Sequence, residues 1–179
     1  HYVMQSDSLN VANKKLREEN AKVTRRYREV AQTASQLKQE REELTEKVTL
    51  AAKLDAVGIV VTPIDSRGKT AKKIKKTDKI KITFSIAKNV TAEVGEKYIY
   101  ARIVKPDGDV LVKDRADVFP FEDREINYSC RKLIEYTGEE LNDVTMYWAV
   151  EEFLYPGEYR VDIFADNYMI GTRSFTLKQ

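Results

Sequence analysis

The sequence predicts a long N-terminal helix of coiled-coil type followed by an all-β antiparallel sandwich. Three observations carry that expectation. Leu9, Leu16, Val23, Val30, Leu37 and Leu44 recur at intervals of seven, and Ala51 continues the series. No proline or glycine interrupts residues 1–57. From Val57 onward the apolar period changes from seven to two. Sustained heptads and strict alternation are the signatures of paired helices and of half-buried strands. The division falls into a helical stalk, 1–56, and a sandwich, 57–179.

The seven-residue series occupies heptad position d. Position a holds Asn13, Asn20, Tyr27, Ala34, Arg41 and Val48. An asparagine at a satisfies itself best across a parallel two-stranded seam, at a cost in stability. Tyr27 and Arg41 weaken the same column. The expectation is therefore a weak parallel homodimer through Leu9, Asn13, Leu16, Asn20, Val23, Tyr27, Val30, Ala34, Leu37 and Leu44. From Ser6 to Lys53 the helix would reach roughly 70 Å at about 1.5 Å per residue. The alternative is one amphipathic helix folded back on the sandwich. Self-association is favoured, because the chain holds no equally long partner for it. The repeat breaks at Leu50, Ala52 and Leu54, and Gly58 is expected to turn the chain into the first strand.

Strands are expected at 59–64, 79–87, 97–105, 109–113, 125–136, 143–152, 157–166 and 168–177. Ile80, Ile82, Phe84 and Ile86 alternate with Lys81, Thr83 and Ser85. Val144, Met146, Trp148 and Val150 alternate with Thr145, Tyr147 and Ala149, and Tyr159, Val161 and Ile163 with Arg160 and Asp162. Each run buries one face. Pro106-Asp107-Gly108, Tyr155-Pro156-Gly157 and Asp166-Asn167 supply turns between them. Many short strands at this spacing argue for an antiparallel sandwich.

The run FLYPGEYRVDIFADNYMIGTRSF resembles the last two strands of an immunoglobulin-like domain. A Pro-Gly turn leads into Tyr159, which the resemblance assigns to a tyrosine corner, and Trp148 would sit inside the sandwich. The cystine of antibody domains is absent, so the resemblance is to bridge-free bacterial relatives. Heptads followed by such a domain resemble uncharacterised bacterial envelope proteins with an N-terminal coiled coil and a C-terminal immunoglobulin-like domain. That resemblance implies a cell-envelope location and a membrane anchor upstream of residue 1. The start at His1 rather than methionine leads to the same expectation of a missing upstream segment. A cytoplasmic location is the alternative.

Composition narrows the chemistry. Charged residues make up 34% of the chain, yet the net charge is only +2. Cys130 is the one cysteine, so no internal disulfide forms, which fits a reducing compartment or an envelope protein without bridges. No apolar run approaches the ~20 residues that span a bilayer. His1 is the only histidine, which removes histidine-based triads and most transition-metal sites. Cys130 is expected to share a strand face with Tyr128 and Lys132, as a part-buried residue rather than a nucleophile. The acidic pairs Glu122-Asp123, Glu139-Glu140 and Glu151-Glu152 read as solvated loops and strand ends rather than glycosidase carboxylates. Asn89-Val90-Thr91 and Asn127-Tyr128-Ser129 match the acceptor sequon. No cofactor, no metal and no enzymatic activity are expected.

Two surfaces remain as candidates. Between Ser66 and Lys81 stand eight basic residues and one acid, Asp78, whereas residues 55–65 and 82–179 carry 12 basic and 20 acidic residues. Arg67, Lys69, Lys72, Lys73, Lys75 and Lys76 are the candidate anion-binding set, for nucleic acid or an anionic lipid surface. The bland reading is a solvated connection whose lysines guard a sheet edge. Tyr98, Tyr100 and Arg102 alternate with Ile99, Ala101 and Ile103 and are expected to point outward, toward a protein partner. The leading functional expectation is a non-enzymatic interaction protein with a self-associating helix. A polyanion-binding module using 67–81 is the alternative.

Overall fold

A computed structural model describes residues 2–179. Helix α1 runs unbroken over Tyr2–Ala51, and none of its residues is buried. Nine strands follow: β1 (Ala56–Ile64), β2 (Lys79–Ile86), β3 (Gly95–Val104), β4 (Val118–Phe121), β5 (Arg124–Asn127), β6 (Cys130–Tyr136), β7 (Leu141–Ala149), β8 (Gly157–Ala165) and β9 (Tyr168–Leu177). The described residues form two compact units, the first ending at Val48 and the second running Thr49–Gln179.

In the second unit, β1-β2-β7 make one antiparallel sheet, β6-β3-β8-β9 another, and β4-β5 a separate hairpin. The alternation read from the sequence sets their faces. Ile80 stands opposite Trp148, Ile82 opposite Met146 and Phe84 opposite Val144, and all six are buried. In the other sheet Ala101 stands opposite Ile163 and Ile103 opposite Val161, again buried. The two inner faces build one core with Leu54, Leu111, Tyr136 and Tyr159. Tyr159 donates its hydroxyl to the Tyr155 carbonyl at 2.7 Å.

Four expectations need correction. Gly58 is not the entry turn. The strand already begins at Ala56, and Gly58, at φ +62°, lies in the bulge that shifts the register between Val57 and Val60. Residues 109–113 form no strand beyond an isolated bridge between Val110 and Val104. Leu111 instead plugs the core, with its N–H on the Ile103 carbonyl at 2.9 Å and its carbonyl accepting from the Ser129 hydroxyl. The expected strand 125–136 is two strands. Tyr128 donates its N–H to Asp117 and Ser129 donates to Ala101, so the ladder changes partner between β5 and β6. Tyr128 is therefore not on the strand of Cys130, which shares its face of β6 with Lys132 alone of the two expected neighbours. The short strand β4 lies outside every strand that the alternation predicts.

Candidate functional site

Three surfaces were singled out by sequence, and the fold treats each differently. On α1 the heptad residues Leu9, Leu16, Val23, Val30, Leu37 and Leu44 are 57–68% exposed. Asn13, Asn20, Tyr27 and Ala34 are exposed as well. An apolar stripe this long and this wet has lost nothing to water yet, and its burial remains available to a partner.

The basic segment joins β1 to β2 on a fixed backbone. The Asp65 carboxylate accepts the N–H groups of Arg67 and Lys69, both at 2.9 Å. The Lys69 N–H, together with the nearby Arg67, holds the Asp65 carboxyl below its usual range against the opposing effect of desolvation. Thr77 is buried and donates its hydroxyl to the carbonyls of Ala71 and Lys73 at 2.7 and 2.9 Å. Ile74 N–H reaches the Lys178 carbonyl and Lys178 N–H the Lys72 carbonyl. Arg67, Lys69, Lys72, Lys73, Lys75 and Lys76 are all exposed. Among the described residues none of the six is in a salt bridge.

The third surface is not the open face that alternation suggested. Tyr98, Tyr100 and Arg102 do lie on the outer side of β3, but only Tyr98 is exposed. The β4-β5 hairpin covers Tyr100: Phe119 stacks on its ring at 4.3 Å, and Phe119, Tyr128 and Phe164 form a second buried cluster with it. Arg102 is half-buried beside this cluster, and its Nε finds no hydrogen-bond partner. Burial pulls its guanidinium below the usual range, partly offset by Asp162 directly opposite. Arg131 lies over the Tyr98 ring at 4.9 Å. Sequence reasoning missed Phe119, Phe121 and Phe164 as cover for this face. The signal was present as VFPF and REIN around the two-residue turn Glu122-Asp123.

Other chemistry recedes on inspection. Burial pushes the Cys130 thiol up to about 12, so it stays protonated and unreactive at neutral pH. Glu139, Glu151 and Glu152 pair with Lys88, Lys113 and Lys105. Both sequon asparagines spend their amide N–H groups internally, Asn89 on the carbonyls of Ala51 and Lys53, Asn127 on those of Arg115 and Asp117. Among the described residues no group of three His, Cys, Asp or Glu side chains could hold a metal ion, and no helix is long and apolar enough to cross a membrane. His1 lies outside the described residues.

A family profile described as a domain of unknown function (DUF8428) matches residues 57–178. A second, described as a coiled-coil region of unknown function (DUF8429), matches residues 1–42. No curated protein matches the chain. Among solved structures, the chain is similar to β-glucosidase 3B from Thermotoga neapolitana in complex with glucose, at 14% identity and a TM-score of 0.45, over 72% of this chain and 16% of that one. It is similar to β-glucosidase from Kluyveromyces marxianus at 12% identity and a TM-score of 0.42, over 71% and 14%. It is also similar to the alkylpurine DNA glycosylase AlkC of Pseudomonas fluorescens, bound to DNA containing an abasic site analog, at 14% identity and a TM-score of 0.39, over 72% and 31%. The chain spans less than a third of each of these proteins, and at these scores the likeness carries no argument about its own fold or chemistry.

Proposed function

This chain belongs to the DUF8428 family of domains of unknown function, here joined to a DUF8429 coiled-coil region, and on that premise we propose that it is a non-enzymatic interaction protein that self-associates through α1. The carrying observation is the 50-residue helix without a buried residue, striped with leucine and valine. Such a stripe gains by leaving water, and a second copy offers a stripe of the same length. Asn13 and Asn20 favour a parallel dimer. Sedimentation equilibrium tests this: the intact chain should give a weak dimer, and Val30→Glu with Leu37→Glu should give monomers with the β unit still folded. A wild-type chain that stays monomeric at high concentration overturns the reading.

The β unit reads as immunoglobulin-like. Its three-plus-four strand order and the Tyr159 hydroxyl on the Tyr155 carbonyl support this. A cell-envelope location rests on the resemblance of the whole layout, and fractionation of cells expressing the natural gene tests it.

A second reading, a polyanion-binding module, is favoured by one observation: six exposed cations on a pinned backbone, none of them in a salt bridge among the described residues. Heparin or DNA binding at low salt should then lose most of its affinity on replacing Lys72, Lys73, Lys75 and Lys76 together, and its salt slope should flatten.

A further inference from the structure

The β unit carries a cleft that neither the helix nor the basic segment lines. Its volume is about 460 Å³, inside the ~300–1,000 Å³ range of small-ligand sites. Two tight turns form its lips, Glu122-Asp123 of the β4-β5 hairpin and Asp166-Asn167 between β8 and β9. The Glu122 N–H donates to Asn167 Oδ1 at 2.8 Å and ties the lips together. The wall is aromatic: Tyr98, Tyr100, Phe119 and Phe164 line it, with Phe119 stacked on Tyr100 and tilted against Phe164 at 5.3 Å.

The charge on this wall is unbalanced. Lys97, with its side chain 7% exposed, reaches the cleft and sits 2.6 Å from Asp166 Oδ2, so one carboxylate is neutralised. Glu96 and Glu122 also line the cleft, and among the described residues neither is in a salt bridge. Glu96 further stands directly opposite Glu135 across the β3-β6 register, a like-charge pair that costs stability while nothing bridges it. An excess of negative charge spread beside aromatic rings suits an extended cation with an apolar stem. The protein already makes such a contact at the edge of the cleft, where the Arg131 guanidinium lies over Tyr98.

We propose that this cleft binds an alkyl cation, an amino or guanidino group on an aliphatic stem, with the head at Glu96 and Glu122 and the stem along the accessible edges of Tyr98 and Tyr100. An inorganic cation lacks the stem, and an anion meets the carboxylates. The proposal is independent of self-association, since no residue of α1 lines the cleft.

The test is a titration of the intact chain with agmatine, with n-butanol as the neutral control, followed by the NMR ring resonances of Tyr98, Tyr100 and Phe119. Agmatine should shift these resonances saturably and less strongly as salt is raised, and butanol should not. Glu96→Gln with Glu122→Gln should weaken agmatine about fivefold, the scale of two partly exposed charge pairs. The melting midpoint should hold or rise slightly, because both side chains are exposed, Lys97–Asp166 is untouched and Glu96→Gln removes the repulsion from Glu135. N-acetyl-arginine amide binding as well as agmatine would assign the site to a basic side chain of a protein. Much tighter agmatine would assign it to a free diamine-like cation. Butanol acting as agmatine does, unshifted ring resonances, or a double variant that binds like the wild type would overturn the proposal.

Discussion

Trp148 is fully enclosed in the core, yet its indole N–H finds no acceptor in the protein. Its volume must outweigh that loss, since an unpaired buried donor costs about 1–3 kcal/mol. Trp148→Ala should destabilise by about 3–5 kcal/mol in urea denaturation. Trp148→Phe should cost much less, because it removes the orphan donor with part of the ring. Tyr159→Phe isolates one hydrogen bond and should cost about 1 kcal/mol by the same measurement. Cys130 gives a pH prediction. Its thiol is raised from 9.0 to about 12 by burial, so folding favours the protonated form. That contribution is complete below about pH 9 and lost as pH rises toward about 12. Melting midpoints measured across this window should fall more for the wild type than for Cys130→Ala. Equal slopes would mean the thiol is in contact with water.

At the scale of elements, β2, β7 and β8 were legible because each carries at least three buried residues at strict alternation. The β4-β5 hairpin was not. Each of its strands has four residues, and Pro120 inside VFPF argues against a strand unless the strand is an edge. Residues 109–113 carry a short apolar run like a strand's, Val110-Leu111-Val112, but one buried serine hydroxyl satisfies the Leu111 carbonyl in place of a ladder. The missed hairpin also explains the misplaced surface, since Tyr100 and Arg102 point outward from β3 only to be covered. Phe119→Ala should therefore cost about 3 kcal/mol, with the NMR ring shifts of Tyr100 moving toward those of an exposed tyrosine. The sheets meet closely where β9 passes β1. A Cβ on Gly171 would lie 2.5 Å from Ile59 Cδ1 and 3.1 Å from Ala56 Cβ. Gly171→Ala should cost about 1–3 kcal/mol by overpacking, measured as a lowered urea midpoint.

For the molecule as a whole, the β unit should fold without the helix, but the place of the cut matters. Leu54 and Ala56 belong to the core, and Leu54 is only 1% exposed. A fragment 49–179 should melt cooperatively, and 57–179 should melt lower for want of those side chains. Equal midpoints would show that Leu54 contributes nothing. Pairing direction is readable by oxidation in a Cys130→Ser background: Leu16→Cys and Leu37→Cys should each form a disulfide-linked dimer if the helices run parallel. Asn89 adds a consequence of a different kind. Its amide N–H groups hold the Ala51 and Lys53 carbonyls at 2.9 Å, while its Oδ1 accepts from Thr91 and Ala92. Deamidation would keep the acceptor half and turn the donor half into a carboxylate facing two carbonyl oxygens. A change of about one dalton would then loosen the segment that leads into β1, and Asn89→Asp, which makes that change directly, should lower the melting midpoint.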